Sequence, residues 1–520
     1  MAGKSNVMKL QRPGPGRVVC FWLLLISAQW AGAGSAIHFV EPQPPLLEAA
    51  HPAAYLGIGQ AVADVDRDGW PDLYLTSGQG PNRLLINQAG QRFAPGENAQ
   101  PTELSDHESA GALFFDHDND GWPDLLVLGR GGTYLFRNLA GQGWDDISAV
   151  SGIVTSGQGQ SAAVADFDGD GWLDLYIVHW YFDDDESSPL KADQLFRNDQ
   201  GVFEDVSYWL DDASRNGPGF AASWLDFNYD GRPDLYVVND KLYGNVLLRN
   251  DGPGCGGWCF SDVSSATGAD RPAFSMGIAV GDPDLDGDLD LFYSSIGEQV
   301  LLENLHVQNQ PRFVERSALA GVSFDAIGWG AVFFDADNDG REDLYLVTSN
   351  IDPTRCNRFW QGDGSGLFID RSDSSGLADC GFGMGLAVLD YDRDGLQDLV
   401  LGNWNERFML YRNASLGGVW LRLRLDGGDR VNRDAIGTRV RLGDTLGRVQ
   451  TRELRRGSGH GGNHEPVLHF GLGQARPEWL ELRWPDGVIQ RIETPTSGEW
   501  TLVHPHDGGM IFSDGLESRP

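Results

Sequence analysis

A nine-residue phrase, Asp-x-Asp-x-Asp-Gly-x-x-Asp, returns seven times along this chain, and whatever the chain folds into must accommodate it at a nearly regular interval. The copies read DVDRDGWPD from Asp64, DHDNDGWPD from Asp116, DFDGDGWLD from Asp166, DFNYDGRPD from Asp226, DPDLDGDLD from Asp282, DADNDGRED from Asp335 and DYDRDGLQD from Asp390. Their first aspartates lie 52, 50, 60, 56, 53 and 55 residues apart, close to the periods of propellers and other repeat arrays. Asn228 alone departs from the carboxylate pattern.

Oxygens at alternate positions of a tight loop suit Ca2+, a hard cation that takes roughly six to eight oxygen ligands. Glycine at position 6 lets the chain turn, and position 9 closes the site from the far side. The candidate ligands are therefore Asp64, Asp66, Asp68 and Asp72; Asp116, Asp118, Asp120 and Asp124; Asp166, Asp168, Asp170 and Asp174; and Asp226, Asn228, Asp230 and Asp234. The last three loops add Asp282, Asp284, Asp286 and Asp290; Asp335, Asp337, Asp339 and Asp343; and Asp390, Asp392, Asp394 and Asp398. An EF-hand needs a bidentate Glu at position 12, where this chain has Leu75, Val127, Ile177, Val237, Tyr293, Leu346 and Leu401. A solvated Asp/Gly turn is the plain alternative for any single copy; seven copies in one frame argue against it. At extracellular calcium levels each site adds roughly 1.4 kcal/mol by mass action, so about seven structural sites supply on the order of 10 kcal/mol.

Each loop is preceded by a short apolar segment such as GIGQAVAD or GMGLAVLD and followed by one such as DLYLTS or DLVLGN. Both read as strands. A third strand follows (YLFRN, QLFRN, VLLRN, MLYRN), then a fourth, aromatic and acidic (VFEDVS, CFSDVS, LFIDRS). Four strands per unit and seven units predict an all-β chain, a seven-bladed β-propeller over residues 37–415. The fourth-strand phrase is missing after Asn413 but present at His38 as HFVEP, so the N-terminal strand is expected to complete the last blade; an open stack gives no reason for this offset. From residue 416 the repeat gives way to Arg-rich alternating segments with Gly-bearing turns, which predict a small C-terminal antiparallel β domain, a sandwich, over 416–505. An irregular tail occupies 506–520.

Lys4, Lys9, Arg12 and Arg17, the apolar run Val18 to Ile26 and small residues to Ala36 read as a secretory signal peptide over 1–36. Its removal takes the formal charge from -36 to -40. No later run is long enough for a transmembrane segment, so the expectation is a secreted chain, or a periplasmic one in a Gram-negative host. The acidic balance excludes nucleic acid as a partner, since that contact rests on basic patches. Cys255, Cys259, Cys356 and Cys380 remain in the exported part; two local bridges are the simplest pairing, with three connectivities open and a four-cysteine zinc site as the alternative.

The loops with their flanking strands resemble the FG-GAP/VCBS repeats of integrin-α-type propellers. The C-terminal segment resembles the ASPIC/UnbV domain, on Asn432 to Gly437, Gly457-Ser458-Gly459, Leu468 to Gly473 and Arg483 to Gly487. That pairing is similar to the cartilage acidic protein family. The resemblance implies an extracellular calcium-binding protein used in adhesion or matrix-type contacts. One departure stands out: His460-Gly461-Gly462-Asn463-His464 replaces the Tyr, Ser and Gln that the family pattern implies after Gly459.

Sharper chemistry finds less support. His464-Glu465 with His469 misses metalloprotease spacing, and Pro466 obstructs the helix it needs; a Gly-x-Ser-x-Gly elbow and a phosphate loop are absent. His460, His464 and His469 together form a candidate transition-metal set, weighed against an ordinary turn. Trp70, Trp122 and Trp172, at position 7 of the first three loops, either pack at the unit edge or offer a sugar-stacking platform. Asn413-Ala414-Ser415 is a glycosylation sequon. The function expected is adhesion or recognition of an extracellular protein or glycan, without catalysis; the alternative is a carbohydrate-active enzyme of polysaccharide-lyase type, or a lectin.

Overall fold

The computed structural model describes residues 37–47, 57–155, 157–181, 192–307, 310–349, 354–457, 459–507 and 511–513. The expected signal peptide lies outside them. Among the described residues, no helix is long and apolar enough to cross a membrane.

Each nine-residue loop joins two strands of an antiparallel hairpin. In unit one Gln60–Ala63 pairs with Asp72–Leu75, then come Arg83–Asn87 and Phe93–Pro95. The same four-strand order recurs through the six later units, and the fifth and sixth are joined by pairing of Ile296 to Glu298 with Asp325 to Ile327. Unit seven takes its outermost strand from the other end of the chain: Phe39 pairs with Asn413 and Val40 with Arg412. This is the pairing that the offset of HFVEP predicts.

Burial grades across each sheet. Inner strands such as Gly159–Ala165 and Gly383–Leu389 are buried along their whole length, because neighbouring units cover both faces. Hence they are small and aliphatic, without polar alternation. In the outermost strand Val202–Asp205 every residue but Phe203 is exposed. Small residues also set how closely the inner strands approach: a Cβ on Gly385 would lie 2.3 Å from the Ile58 carbonyl, bringing unit seven against unit one.

The C-terminal region forms two four-stranded sheets. One departs from the expected antiparallel pattern, because Val419–Asp426 and Gly498–Val503 run parallel. These strands enter and leave the domain, and the long connection that a parallel pair requires is the rest of the domain itself. The tail is not wholly irregular either, since Ile511–Ser513 adds a strand beside Gly498–Val503. One apolar cluster runs without a break from Leu113, Phe115 and Val164 of the repeats to Ile436, Leu454 and Trp484 of the C-terminal domain.

Candidate metal centres

Within each loop the carboxylates are held by backbone N–H groups before any ion is considered. The position-1 carboxylate accepts from the position-6 glycine, as in Gly69 to Asp64 at 3.0 Å and Gly340 to Asp335 at 2.8 Å. Position 5 accepts from the N–H of position 7 in every copy, from Trp70 to Asp68 at 2.9 Å through Leu396 to Asp394 at 3.0 Å. The loop closes because position 4 adopts a left-handed conformation seven times, with φ between 54° at Arg393 and 72° at Gly169. Sequence reading placed the turn at the position-6 glycine alone. Only Asn119, Gly169 and Asn338, residue types that tolerate this conformation, hint at position 4.

Position 9 does more than close the loop. Its Oδ1 accepts an N–H of the third strand in all seven units, from Asn87 to Asp72 at 2.7 Å to Asn413 to Asp398 at 2.7 Å. The aspartate therefore welds the hairpin to the third strand and presents its remaining lone pairs to the loop. The third-strand asparagine, in turn, donates its Nδ2 to the position-2 carbonyl of the preceding unit: Asn138 to Val65 at 2.9 Å, Asn198 to His117 at 2.9 Å, Asn250 to Phe167 at 2.8 Å. Asn87 of unit one reaches Tyr391 of unit seven at 2.8 Å. The Arg-Asn pair of the third strand was read only as strand sequence; its asparagine is an inter-unit staple.

Carboxylate oxygens of Asp64, Asp66 and Asp72, of Asp116, Asp118 and Asp120, of Asp166, Asp168 and Asp174, and of Asp282, Asp284 and Asp286 come within 4.8 Å of one another. Burial, followed by neighbouring carboxylates, pushes several of them up: Asp64 to about 6, Asp72 to about 8 and Asp116 to about 9. Asp64 Oδ1, Asp234 Oδ2 and Asp282 Oδ2 are buried without a hydrogen-bond partner. Buried oxygens without a donor call for an ion or water, and an all-oxygen set of this charge fits a hard divalent cation. Several loops carry an internal competitor: Arg197 pairs with Asp168 and Asp170 at 2.5 and 2.6 Å, Arg412 with Asp392 and Asp394 at 2.6 and 2.8 Å, Arg232 with Asp230 at 2.5 Å and Arg341 with Asp339 at 3.0 Å. At Asn228 the amide donates to Asp230 at 3.2 Å, in place of a further charge.

The C-terminal domain reaches the inner strand of every unit through one loop, Arg455 to Glu465. Asn463 donates to Gln60 at 2.8 Å in unit one; Gly461 accepts from Ala112 at 3.2 Å in unit two; Arg456 accepts from Val164 at 3.2 Å in unit three. Gly459 donates to Ile278 in unit five at 3.0 Å and Glu465 to Val388 in unit seven at 2.9 Å. Units four and six meet it through Phe220 and Trp329, whose rings lie 5.4 and 4.8 Å from that of His460. His460 is fully buried with no hydrogen-bond partner on either ring nitrogen, and burial pushes it down to about 3. His464 Nδ1 accepts from Val388 at 3.1 Å, and His469 Nε2 meets Asn338 Oδ1 at 2.6 Å. One ring nitrogen each of His464 and His469 is thus taken by a hydrogen bond within the protein, while His460 packs against aromatic rings.

Other expectations resolve locally. Arg67 stacks on Trp122 at 4.5 Å and Arg393 on Trp70 at 5.6 Å, so two of the three tryptophan faces pair with an arginine of a neighbouring loop. Cys255 bridges Cys259 and Cys356 bridges Cys380, which excludes the zinc alternative. Asn413 is fully buried and donates to Ala336 and Gln397 at 2.7 and 3.1 Å, so the sequon is not an accessible glycosylation site.

Two protein-family models match: one described as ASPIC and UnbV over residues 428–508, the other as FG-GAP-like repeat over 64–127, 116–177, 226–293 and 335–401. Among curated proteins the chain is similar to cartilage acidic protein 1 of Mus musculus, 27% identical over 479 residues, covering 84% of this chain and 71% of the relative. The Homo sapiens protein of that name is 26% identical over 494 residues, covering 86% and 71%. Among solved structures, a lectin from Agrocybe aegerita that recognises non-reducing terminal N-acetylglucosamine aligns with a TM-score of 0.39 at 15% identity, over 68% of this chain and 86% of its own.

Proposed function

The chain belongs to the cartilage acidic protein-like family, FG-GAP-like repeats followed by an ASPIC and UnbV domain, and on that premise we propose a secreted, calcium-stabilised recognition protein. Its repeats form a closed seven-bladed propeller, with the C-terminal domain set over the metal loops and its Arg455 to Glu465 loop on the axis. The observation that carries this reading is the constellation repeated in every unit, with buried oxygens left unpartnered at Asp64, Asp234 and Asp282. Positions 1, 3, 5 and 9 of each loop would hold the ion, with Asn228 as a neutral donor in the fourth. Bound Ca2+ supplies positive charge where burial has raised the cost of neighbouring carboxylates.

What fills the axis supports the reading of recognition rather than catalysis. The groups there that resemble acid–base residues, His460 and His464, face aromatic rings and backbone, and the loop bearing them contacts every unit. The outer surfaces are left for contacts with an extracellular protein or glycan.

Calorimetric titration of chelator-treated residues 37 to 520 with Ca2+, followed by thermal unfolding, tests the metal reading. Near seven ions with a large rise in Tm supports it; one ion or none, without stabilisation, overturns it. Glycan-array binding without turnover of acidic polysaccharides separates recognition from the enzymatic alternative.

A further inference from the structure

The seven loops differ in what holds the N–H of the first aspartate. In unit five Asp282 N–H donates to Glu342 Oε2 at 2.6 Å, and in unit six Asp335 N–H donates to Gln397 Oε1 at 3.3 Å. Glu342 and Gln397 are position 8 of the following loop, so each of these units is served by the next one along the chain. Elsewhere position 8 is Pro71, Pro123, Leu173, Pro233 or Leu289, side chains that cannot accept. In units two, four and seven the C-terminal domain fills the gap: Asp116 N–H donates to Asp434 at 2.9 Å, Asp226 N–H to Glu453 at 3.5 Å and Asp390 N–H to Glu465 at 3.0 Å.

We propose that the cation sites of units two, four and seven are composite, completed by Asp434, Glu453 and Glu465 of the C-terminal domain, so that cation binding and docking of that domain are linked. This rests on the calcium reading of the loops. Three independent segments of the domain place a carboxylate at the same point of three loops. The role that Glu342 plays within the repeats is thereby reproduced from outside them. A carboxylate there fixes the position-1 aspartate through its backbone and adds negative potential beside the ion, as outer-shell partners of metal ligands do. Asp234, the position-9 residue of unit four, keeps a buried unpartnered oxygen beside this arrangement. Arginines of the same domain limit the repulsion: Arg455 lies 3.8 Å from Glu453, and Arg422 and Arg424 hold Glu465 at 2.8 and 3.0 Å. At unit seven Arg422 also reaches Asp390, at 2.6 Å, so the cleaner tests are at units two and four.

Because binding free energies are reciprocal, ions at these sites must also hold the domain down, including the Gly459 and Asn463 N–H groups that donate to units five and one. The test compares Ca2+ titrations of full-length wild type, Asp434→Asn and Glu453→Gln, each amide keeping an acceptor oxygen. Each variant should weaken one ion by roughly tenfold or more and leave the rest unchanged. Hydrogen exchange with and without chelator should show protection of the 455–465 amides lost as the ions leave, and lost at higher free Ca2+ in Asp434→Asn and Glu453→Gln. Wild-type titrations in both variants, or unchanged amide protection after the ions are removed, overturn the proposal. A wild type that takes up no Ca2+ overturns the calcium reading itself, and this linkage with it.

Discussion

Acidification should unfasten the chain from its axis, and His460 gives the size of the effect. Its ring sits between Phe220 and Trp329 with both nitrogens unpartnered. Burial holds its pKa at about 3 against 6.5 in the unfolded chain, with only the Met276 backbone favouring the protonated form. The folded value is the lower one, so the stabilisation is complete above pH 6.5 and is lost as pH falls toward 3. At about 1.4 kcal/mol per pH unit, acidification from pH 7 to pH 5 costs about 2 kcal/mol through this residue alone. His179, buried and pushed down to about 4, adds a similar amount. His460→Leu keeps the volume near that of the ring, so at pH 7 its effect should stay within about 1.5 kcal/mol, while at pH 5 it should gain about 2 kcal/mol on the wild type. Thermal unfolding of both proteins in saturating Ca2+ at the two pH values measures this difference of differences. Equal acid sensitivity of wild type and variant, or a native His460 resonance titrating near 6.5, refutes the reasoning.

Asp286→Ala should lower Tm in Ca2+ and do little in chelator; equal losses in both buffers count against a metal at unit five. Removing one staple by Asn138→Ala leaves the Val65 and Pro123 carbonyls without their donor and should cost about 1–3 kcal/mol in chemical denaturation, with or without Ca2+. Expressed in a eukaryotic secretory host, the protein should show no glycan at Asn413 by peptide mass spectrometry, since its amide is buried and hydrogen-bonded at both ends.

Much of this architecture was legible because its determinants are local. Seven Asp/Gly loops, each flanked by apolar segments of strand length, specify hairpins wherever they occur, and the missing fourth strand after Asn413 pointed to the pairing of Phe39 with Asn413. Position 4 of the loops was not legible, because residues as different as Arg67, Tyr229 and Leu285 share its left-handed conformation; the hydrogen bonds of the closed loop impose it. The parallel pairing of Val419–Asp426 with Gly498–Val503 was likewise invisible, since alternation in a strand sets which face is buried and not which partner lies beside it.

The axis shows the division most sharply. His460-Gly461-Gly462-Asn463-His464 has no strand or helix periodicity, and alone it reads as a polar turn or a metal-ligand set. Its backbone hydrogen bonds go to residues hundreds of positions away, on Gln60 and Ala112. The sequence by itself determined the loops, their number and the strands they join, because carboxylate spacing and apolar periodicity act over a few residues. Only the tertiary structure decided that a second domain would complete some of those loops and fill the space between the units. That choice depends on which surfaces are left unsatisfied once the units have come together.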